Sequence, residues 1–475
     1  MTPSFSSTFL SESSSRDSPA SQSQTTFSST SSDAASIHTF GPREKSPCKV
    51  LIVGAGVGGL MLALCLERAG IDYVLLERTH QLPVPKTTIQ IAANTLRAIE
   101  QLGLLGEVMQ IAKPVSTMTL MKQNLSVTGR FDAHFYKERY GHYSCVVQRS
   151  DFLRILLAHL PAHKILWGKY VLEIVNGNAG VQCRCSNGYV EEADIIIGAD
   201  GAYSAVRQNI YRTMKQKGLL PKSDQEPLKH TLNAIIGITK PLDGSRFPAA
   251  HKQFSEVSVV VGKDPLYTLW VTPIANNRVI WSVSGELLKP EEGDNTNFKQ
   301  SEYGPEVIDA TCGLIQDIEI PYGGTMADLI ECTERDYITK VMIEEKQYKT
   351  WHYGRAALIG EGQGAEQAIM DAIYLANHLY RLDDHPVHED YLKIFESYQR
   401  RRSPLVKNAA QMTHTMSHLM NTQGIGADMK RKILFSLPDW LKNAGADKMQ
   451  VRPLLDYLAP VEDRAKKSVK AANVM

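Results

Sequence analysis

A chain of 475 residues with 43% hydrophobic side chains is long enough for two or three domains with sizeable cores. Its 52 basic and 51 acidic residues leave a net charge of +1, which excludes the electrostatic footprint of a nucleic-acid binder. The seven cysteines form no C-x-x-C pair, so the reading is a reducing, cytoplasmic setting and no structural metal.

About half of Met1 to Phe40 is Ser or Thr with almost no aliphatic periodicity, so residues 1–47 are expected to form a disordered tail. A mitochondrial transit peptide is the rival reading, but Arg16 stands alone against Glu12, Asp17 and Asp33. No apolar run there suggests secretion, and no window elsewhere suggests a transmembrane span.

Order begins abruptly with KVLIVGAGVGGLMLALCLERAGIDYVLLE, Lys49 to Glu77. Val50–Val53 is a continuous aliphatic run suited to a strand buried on both faces. Gly54, Gly56 and Gly59 follow in G-x-G-x-x-G spacing, then a helical pattern from Gly58 to Ala69 capped by Gly70, then a strand from Tyr73 to Leu76. In such a unit the first glycine allows a tight turn and the second lets backbone approach a pyrophosphate. The third lets helix and strand pack closely, and the helix N-terminus supplies amides to the phosphates. Glu77 closes the second strand, where a carboxylate can accept hydrogen bonds from ribose hydroxyls. The unit is a dinucleotide site.

After Pro83 and Pro85 comes TTIQIAANTLRAIEQLGLLGEV, with a helix expected from Asn94 to Leu102 and ended by Gly103. Thr87–Leu105 resembles the segment after the second strand in class A flavoprotein monooxygenases, the aromatic hydroxylase-like family. There the chain passes over the flavin ribityl side before a helix ending in L-G-L. Gln90 stands where many members carry Gly. The run SCVVQRSDFLRILL, Ser144 to Leu157, is similar to the family's V-x-R-x-x-L element, which implies that Arg149 contacts the ribose–phosphate region of FAD. On its residues alone, Ser150 or Asp151 can cap a helix whose apolar face carries Phe152, Ile155 and Leu156. His159 and His163 are four apart, but Pro161 lies between them and no acidic partner follows, so no metal pair is expected.

ADIIIGADGAYSAVRQNIY, Ala193 to Tyr211, again runs an aliphatic strand into glycines, a carboxylate and a helix start. It resembles the family's G-A-D-G-x-x-S-x-V-R motif. The resemblance implies that Asp200, Gly201 and Arg207 hold the FAD ribityl and diphosphate and shape the path for NADPH. Arg212 to Glu226 reads as a polar linker. From Lys229 to Leu287 strand patterns alternate with turn residues, similar to the antiparallel sheet that lines the family's substrate pocket. Tyr267, Trp270, Trp281 and Tyr322 are candidates for the pocket wall, with plain core as the alternative for each.

The third signature departs from the family. Arg355–Gly360 resembles its last flavin-domain strand, which normally runs into G-D-A, a loop carrying His and Pro, and then G-Q-G-x-N opening a helix. Here Glu361 replaces Asp, the loop is absent, Gly362-Gln363-Gly364-Ala365 follows at once, and Glu366 stands where Asn is common. Gly364 and Ala365 could still aim amides at the flavin pyrimidine edge. Tyr391–Arg402 is similar to the family's closing helices. Met412, Met416 and Met420 recur at helical spacing, and Lys430–Leu441 is amphipathic enough for a peripheral membrane contact.

The resemblance implies an α/β protein: a Rossmann-like FAD-binding domain (residues 48–228 and 346–405), an inserted antiparallel-sheet substrate domain (229–345) and C-terminal helices (406–475). It implies FAD as cofactor, NADPH or NADH as electron donor, and hydroxylation or epoxidation of a small hydrophobic substrate, most like fungal enzymes of secondary metabolism. Two alternatives stand beside it: an FAD-binding paralogue impaired in oxygenation by the short junction after Gly360, and a non-enzymatic scaffold.

Overall fold

The structure is a computed structural model that describes residues 41–82, 86–227, 229–288, 305–361, 364–421 and 451–465, with six scattered residues between 422 and 450. The Ser/Thr-rich stretch up to Phe40 lies outside the described residues, as do Gly362 and Gln363, the side chains of Met416 and Met420, and most of Lys430–Leu441.

A six-stranded sheet runs in the order His352–Tyr353, Ala356–Leu358, Ile195–Gly198, Lys49–Val53, Asp72–Leu76, Ile165–Leu166. The strand Lys49–Val53 pairs in parallel with Ile195–Gly198 on one side and Asp72–Leu76 on the other. Val50 and Ile52 pack into one core with the helices Val57–Ala69 and Gly364–Tyr380, while Leu51 and Val53 pack on the opposite face with Ile196, Val206 and Ile210. Both faces are therefore dry, which is why this strand is aliphatic throughout instead of alternating. The two helices pack very closely: a Cβ at Gly58 would lie 3.1 Å from that of Ala368.

The second sheet has nine strands, in the order Ile338–Glu345, Lys229–Ile238, Arg278–Gly285, Tyr267–Ile274, Ser255–Gly262, Ala112–Lys122, Cys145–Gln148 and Thr88–Ile91, with Val127–Asp132 paired to Ala112–Lys122. The strands within 229–345 pair antiparallel with one another, as expected. The sheet recruits strands from 88–148, and Ser255–Gly262 pairs in parallel with Ala112–Lys122, so it is mixed. Its two faces also separate the aromatic candidates. Tyr267 and Trp281 belong to the core beneath the helices Pro305–Ile315 and Met326–Glu331, and Trp281 is fully buried with Nε1 donating to Thr333 Oγ1 (3.0 Å). Trp270 faces the other way, with Phe131 and Tyr136. Tyr322 packs at the margin of the Trp281 core, its hydroxyl buried without a partner.

Smaller corrections follow from hydrogen bonding. The helix at 149 begins with Arg149 itself after Gln148, and neither Ser150 nor Asp151 caps it. The expected linker at Arg212 continues the helix Ala205–Gln216, and a short helix occupies Lys222–Gln225. The helix His388–Asn421 runs through Pro404. Residues 451–465 were expected to be helical but carry no helix. They lie along the flavin-type half: Gln101 Nε2 donates to the carbonyls of Leu455 and Leu458, Asn377 Nδ2 to that of Leu454, and the Tyr457 hydroxyl to that of Cys65. All seven cysteines are free thiols, and no described helix is long and apolar enough to cross a membrane.

Candidate functional site

The C-terminal ends of three adjacent parallel strands deliver Gly54, Gly198 and Gly360 to one edge of the six-stranded sheet. Ligands of open α/β sheets bind at this edge. Gly54 adopts φ 105°, a conformation that favours glycine, and a Cβ there would meet the Ala199 carbonyl oxygen at 2.7 Å. At Gly59 a Cβ would lie 1.9 Å from the Gly54 carbonyl oxygen, so turn and helix can close only without a side chain. Gly56 differs: a Cβ there would have only Ala199 O within 4 Å, at 3.8 Å, which leaves its outer side open. No side chain caps the helix that follows, and its first turn holds no acid, so its leading amides and positive dipole end remain available.

The other sequence-predicted residues are placed unevenly. Glu77 is buried; Oε2 accepts from the Ala55 amide (2.7 Å) and Oε1 from the Thr79 amide and hydroxyl (3.0 and 2.9 Å). It braces the glycine turn, with further lone pairs left for a ribose. Asp200 Oδ2 accepts from the amides of Ala205 (2.6 Å) and Val206 (3.3 Å), while Oδ1 is buried without a partner. Burial pushes the Asp200 carboxyl above its usual range, against hydrogen bonds from Ser204 and the helix amides. Gly201 takes φ 79° and Ser204 caps the next helix by accepting from Arg207 N (2.9 Å). Arg207 reaches across to Glu361 Oε1 (3.0 Å), bonds the Ala202 carbonyl and stacks its guanidinium 4.3 Å from the Tyr348 ring centre. The substituted Glu361 thus still finds a cation, but its Oε2 is buried and unpaired, and burial pushes its carboxyl up to about 7. Arg149 is similar in kind: Nε is buried with no partner, and burial lowers its affinity for the proton. Gln90 is exposed on its strand opposite Val146, and Gly364 (φ 74°) and Ala365 open the helix Gly364–Tyr380.

Three residues mattered more than the sequence indicated. Asp371 and Arg402 form a fully buried ion pair (2.6 Å), and Asp371 Oδ2 also accepts from the Gly360 amide (2.8 Å), tying strand end to helix. Glu366 is half-buried as a residue, yet its carboxyl turns inward to accept from Thr95 Oγ1 (3.2 Å). The only sequence signal for the buried pair was a carboxylate on an otherwise apolar helix and an arginine run on the next. His159 bonds Glu107 (2.7 Å), and among the described residues no group of three or more His, Cys, Asp or Glu side chains is placed to hold a metal ion.

The family model "FAD binding domain" matches residues 47–225. The FAD-dependent monooxygenase janM of Penicillium janthinellum is 30% identical over 354 residues, 71% of this chain and 69% of that protein. The FAD-dependent monooxygenase paxM of Penicillium paxilli is 30% identical over 363 residues, 71% of each chain. The chain belongs to the FAD-dependent monooxygenases. Among solved structures, HpxO of Klebsiella pneumoniae complexed with FAD and uric acid matches with a TM-score of 0.67 at 18% identity, over 85% of this chain and 97% of that one. FqzB matches with a TM-score of 0.64 at 19% identity, over 86% and 92%. These two show the shared fold.

For a monooxygenase of this family the residues present fit FAD. Three buried polar atoms without protein partners, Arg149 Nε, Asp200 Oδ1 and Glu361 Oε2, fall on residues expected to face the cofactor. Beside Asp200 lies a glycine cradle whose open side a Cβ at Gly56 would fill. A donor with a positive charge and two acceptors match a ligand that carries both phosphates and hydroxyls. Membership favours an active monooxygenase over the impaired paralogue and the scaffold.

Proposed function

We propose that this enzyme uses NADPH or NADH and dioxygen to hydroxylate or epoxidise a small hydrophobic molecule of secondary metabolism, in the cytoplasm. Bound FAD, once reduced, supplies the activation of dioxygen. The protein binds, orients and keeps water out. In this reading the amides that open the helix Val57–Ala69 and the Arg149 guanidinium hold the diphosphate. Glu77 accepts from the adenosine ribose, while Asp200 and Gly201 hold the ribityl chain. Arg207 keeps Glu361 beside it, and Gly364 and Ala365 present amides to the flavin ring. Trp270, Phe131 and Tyr136 share the face of the large sheet opposite the Trp281 core and form the hydrophobic side of the substrate space. The division into residues 48–228 with 346–405, 229–345 and 406–475 belongs to the same proposal, with 88–148 lending strands to the substrate sheet.

The unpaired buried atoms on Arg149, Asp200 and Glu361, three residues that the family resemblance assigns to the cofactor, carry this reading. Purified protein should be yellow with near-stoichiometric flavin. An extract containing the substrate should accelerate nicotinamide oxidation and yield an oxygenated product. Colourless protein that takes up no added FAD would refute it.

A further inference from the structure

We infer that the groove along the outer face of the helix Ala205–Gln216 receives the adenosine 2′-phosphate end of the electron donor, which selects NADPH over NADH. The inference rests on the monooxygenase reading above. FAD takes the glycine turn at Gly54, so a second dinucleotide must dock elsewhere within reach of the flavin site. A cavity of about 500 Å³ beside this helix, in the size range of small-molecule sites, is lined by Tyr203, Arg207, Arg212, Lys215, Lys346 and Tyr348. Its floor is also the wall of the flavin site: Arg207 lies under the Tyr348 ring and holds Glu361. Its mouth carries Tyr203, 60% exposed on the turn that begins with Gly201.

The charges in the groove are unbalanced. Arg207 is already paired with Glu361, and against the three remaining cations stand Asp224 and Glu226. The Asp224 carboxylate is already spent on the amides of Lys349 (3.0 Å) and Thr350 (2.9 Å). Lys346 is held by the backbone carbonyls of Asp224 and Glu226. Arg212 and Lys215, one helical turn apart, are exposed on the same helix face, and neither has an acidic partner among the described residues. Exposed cations one turn apart, beside an exposed aromatic ring, are suited to a phosphate dianion next to a purine. A 2′-phosphate supplies that dianion, and NADH lacks it.

The test uses FAD-loaded protein titrated calorimetrically with adenosine 2′,5′-bisphosphate and with 5′-AMP. The bisphosphate should bind about tenfold more tightly, the size expected for one or two charge-assisted phosphate contacts. Arg212→Ala with Lys215→Ala should erase that advantage, and Arg212→Lys alone should keep most of it. In turnover the double variant should raise the KM for NADPH and leave that for NADH unchanged, with flavin content retained. Equal binding of the two nucleotides by the parent protein, or an undiminished preference in the double variant, overturns the assignment. Protein that takes up no FAD overturns the monooxygenase reading instead, and does so before any nucleotide is added.

Discussion

Arg149 is a half-buried cation whose buried Nε meets no protein acceptor, and burial weakens its hold on the proton. An uncompensated charge of this kind destabilises the protein that carries it and strengthens binding of an anion that reaches it. Arg149→Met should therefore split two properties that usually move together. The flavin-free variant should melt no lower than the parent, while its Kd for FAD rises roughly ten- to hundredfold, the loss of one charge-assisted contact. Flavin fluorescence titration and thermal unfolding of apoprotein read the two separately. A fall in melting temperature without weaker FAD binding would place Arg149 among structural residues. Glu366 offers a second residue-scale test. Burial pushes its carboxyl from 4.5 up to about 7, against hydrogen bonds from Thr95 and Asn94 and the charge of Arg402 on the neighbouring helix; the Tyr136 phenol faces it from the large-sheet side. The folded state thus holds this proton more tightly than the unfolded chain. The associated stability is complete below the unfolded value and is lost as pH rises through about 7. Glu366→Gln keeps the acceptor for Thr95 and removes the titration. The variant should match the parent in melting temperature near about pH 5 and exceed it near about pH 8.5. An offset that is the same at both values would refute the assignment.

At the scale of elements, the decisive joint is between the helices Gly364–Tyr380 and His388–Asn421. Asp371 and Arg402 meet there at 2.6 Å, and Arg402 also donates to Gln367 Oε1 (2.7 Å) while Asp371 holds the Gly360 amide. Removing one partner leaves the other charged in a dry interior, which costs about 3–5 kcal/mol. Arg402→Met should lower the free energy of unfolding in denaturant by that order, and Asp371→Asn added to it should restore part of the loss. If the double variant is no more stable than Arg402→Met alone, the pair does not act as a unit. This joint also shows which parts of the fold were legible in sequence. The strand Val50–Val53 and the turn Gly54–Gly59 were, because their chemistry lies in consecutive residues with a fixed period. The Asp371–Arg402 pair was not, since two charges 31 residues apart declare no contact until two helices pack. Alternation identified the strands around Trp270 and Trp281 correctly but could not say which face meets helices and which meets the flavin half. Ser150 looked like a cap because of its type, but Arg149 already begins the helix there. Residues 451–465 were missed for a related reason: their anchors are side-chain bonds from Gln101 and Asn377 to backbone, which leave no periodic trace.

For the whole molecule, the efficiency of the reaction turns on how tightly the reaction space is sealed. In the resembling family a loop with His and Pro separates the last flavin-domain strand from the helix that follows. In this chain Gly360 and Glu361 lead almost directly to Gly364, held by the Asp371 bond to the Gly360 amide. The anchor is firm, so the short junction should not prevent FAD from binding. Cover over the site is a separate matter, because water exclusion depends on chain laid across it. Under the proposed reading, sealing falls to the aromatic residues Phe131, Phe135 and Tyr136, whose rings lie 4.3–6.1 Å apart between pairs. The expected outcome is an enzyme that binds FAD fully and oxygenates its substrate but loses part of each reducing equivalent as hydrogen peroxide. Inserting a loop of the family's length after Glu361 should raise the ratio of oxygenated product to NADPH consumed and lower peroxide release, with flavin content unchanged. Oxygen uptake, peroxide and product measured together decide it: a parent enzyme that already couples NADPH fully to product would show that the short junction leaves the site closed.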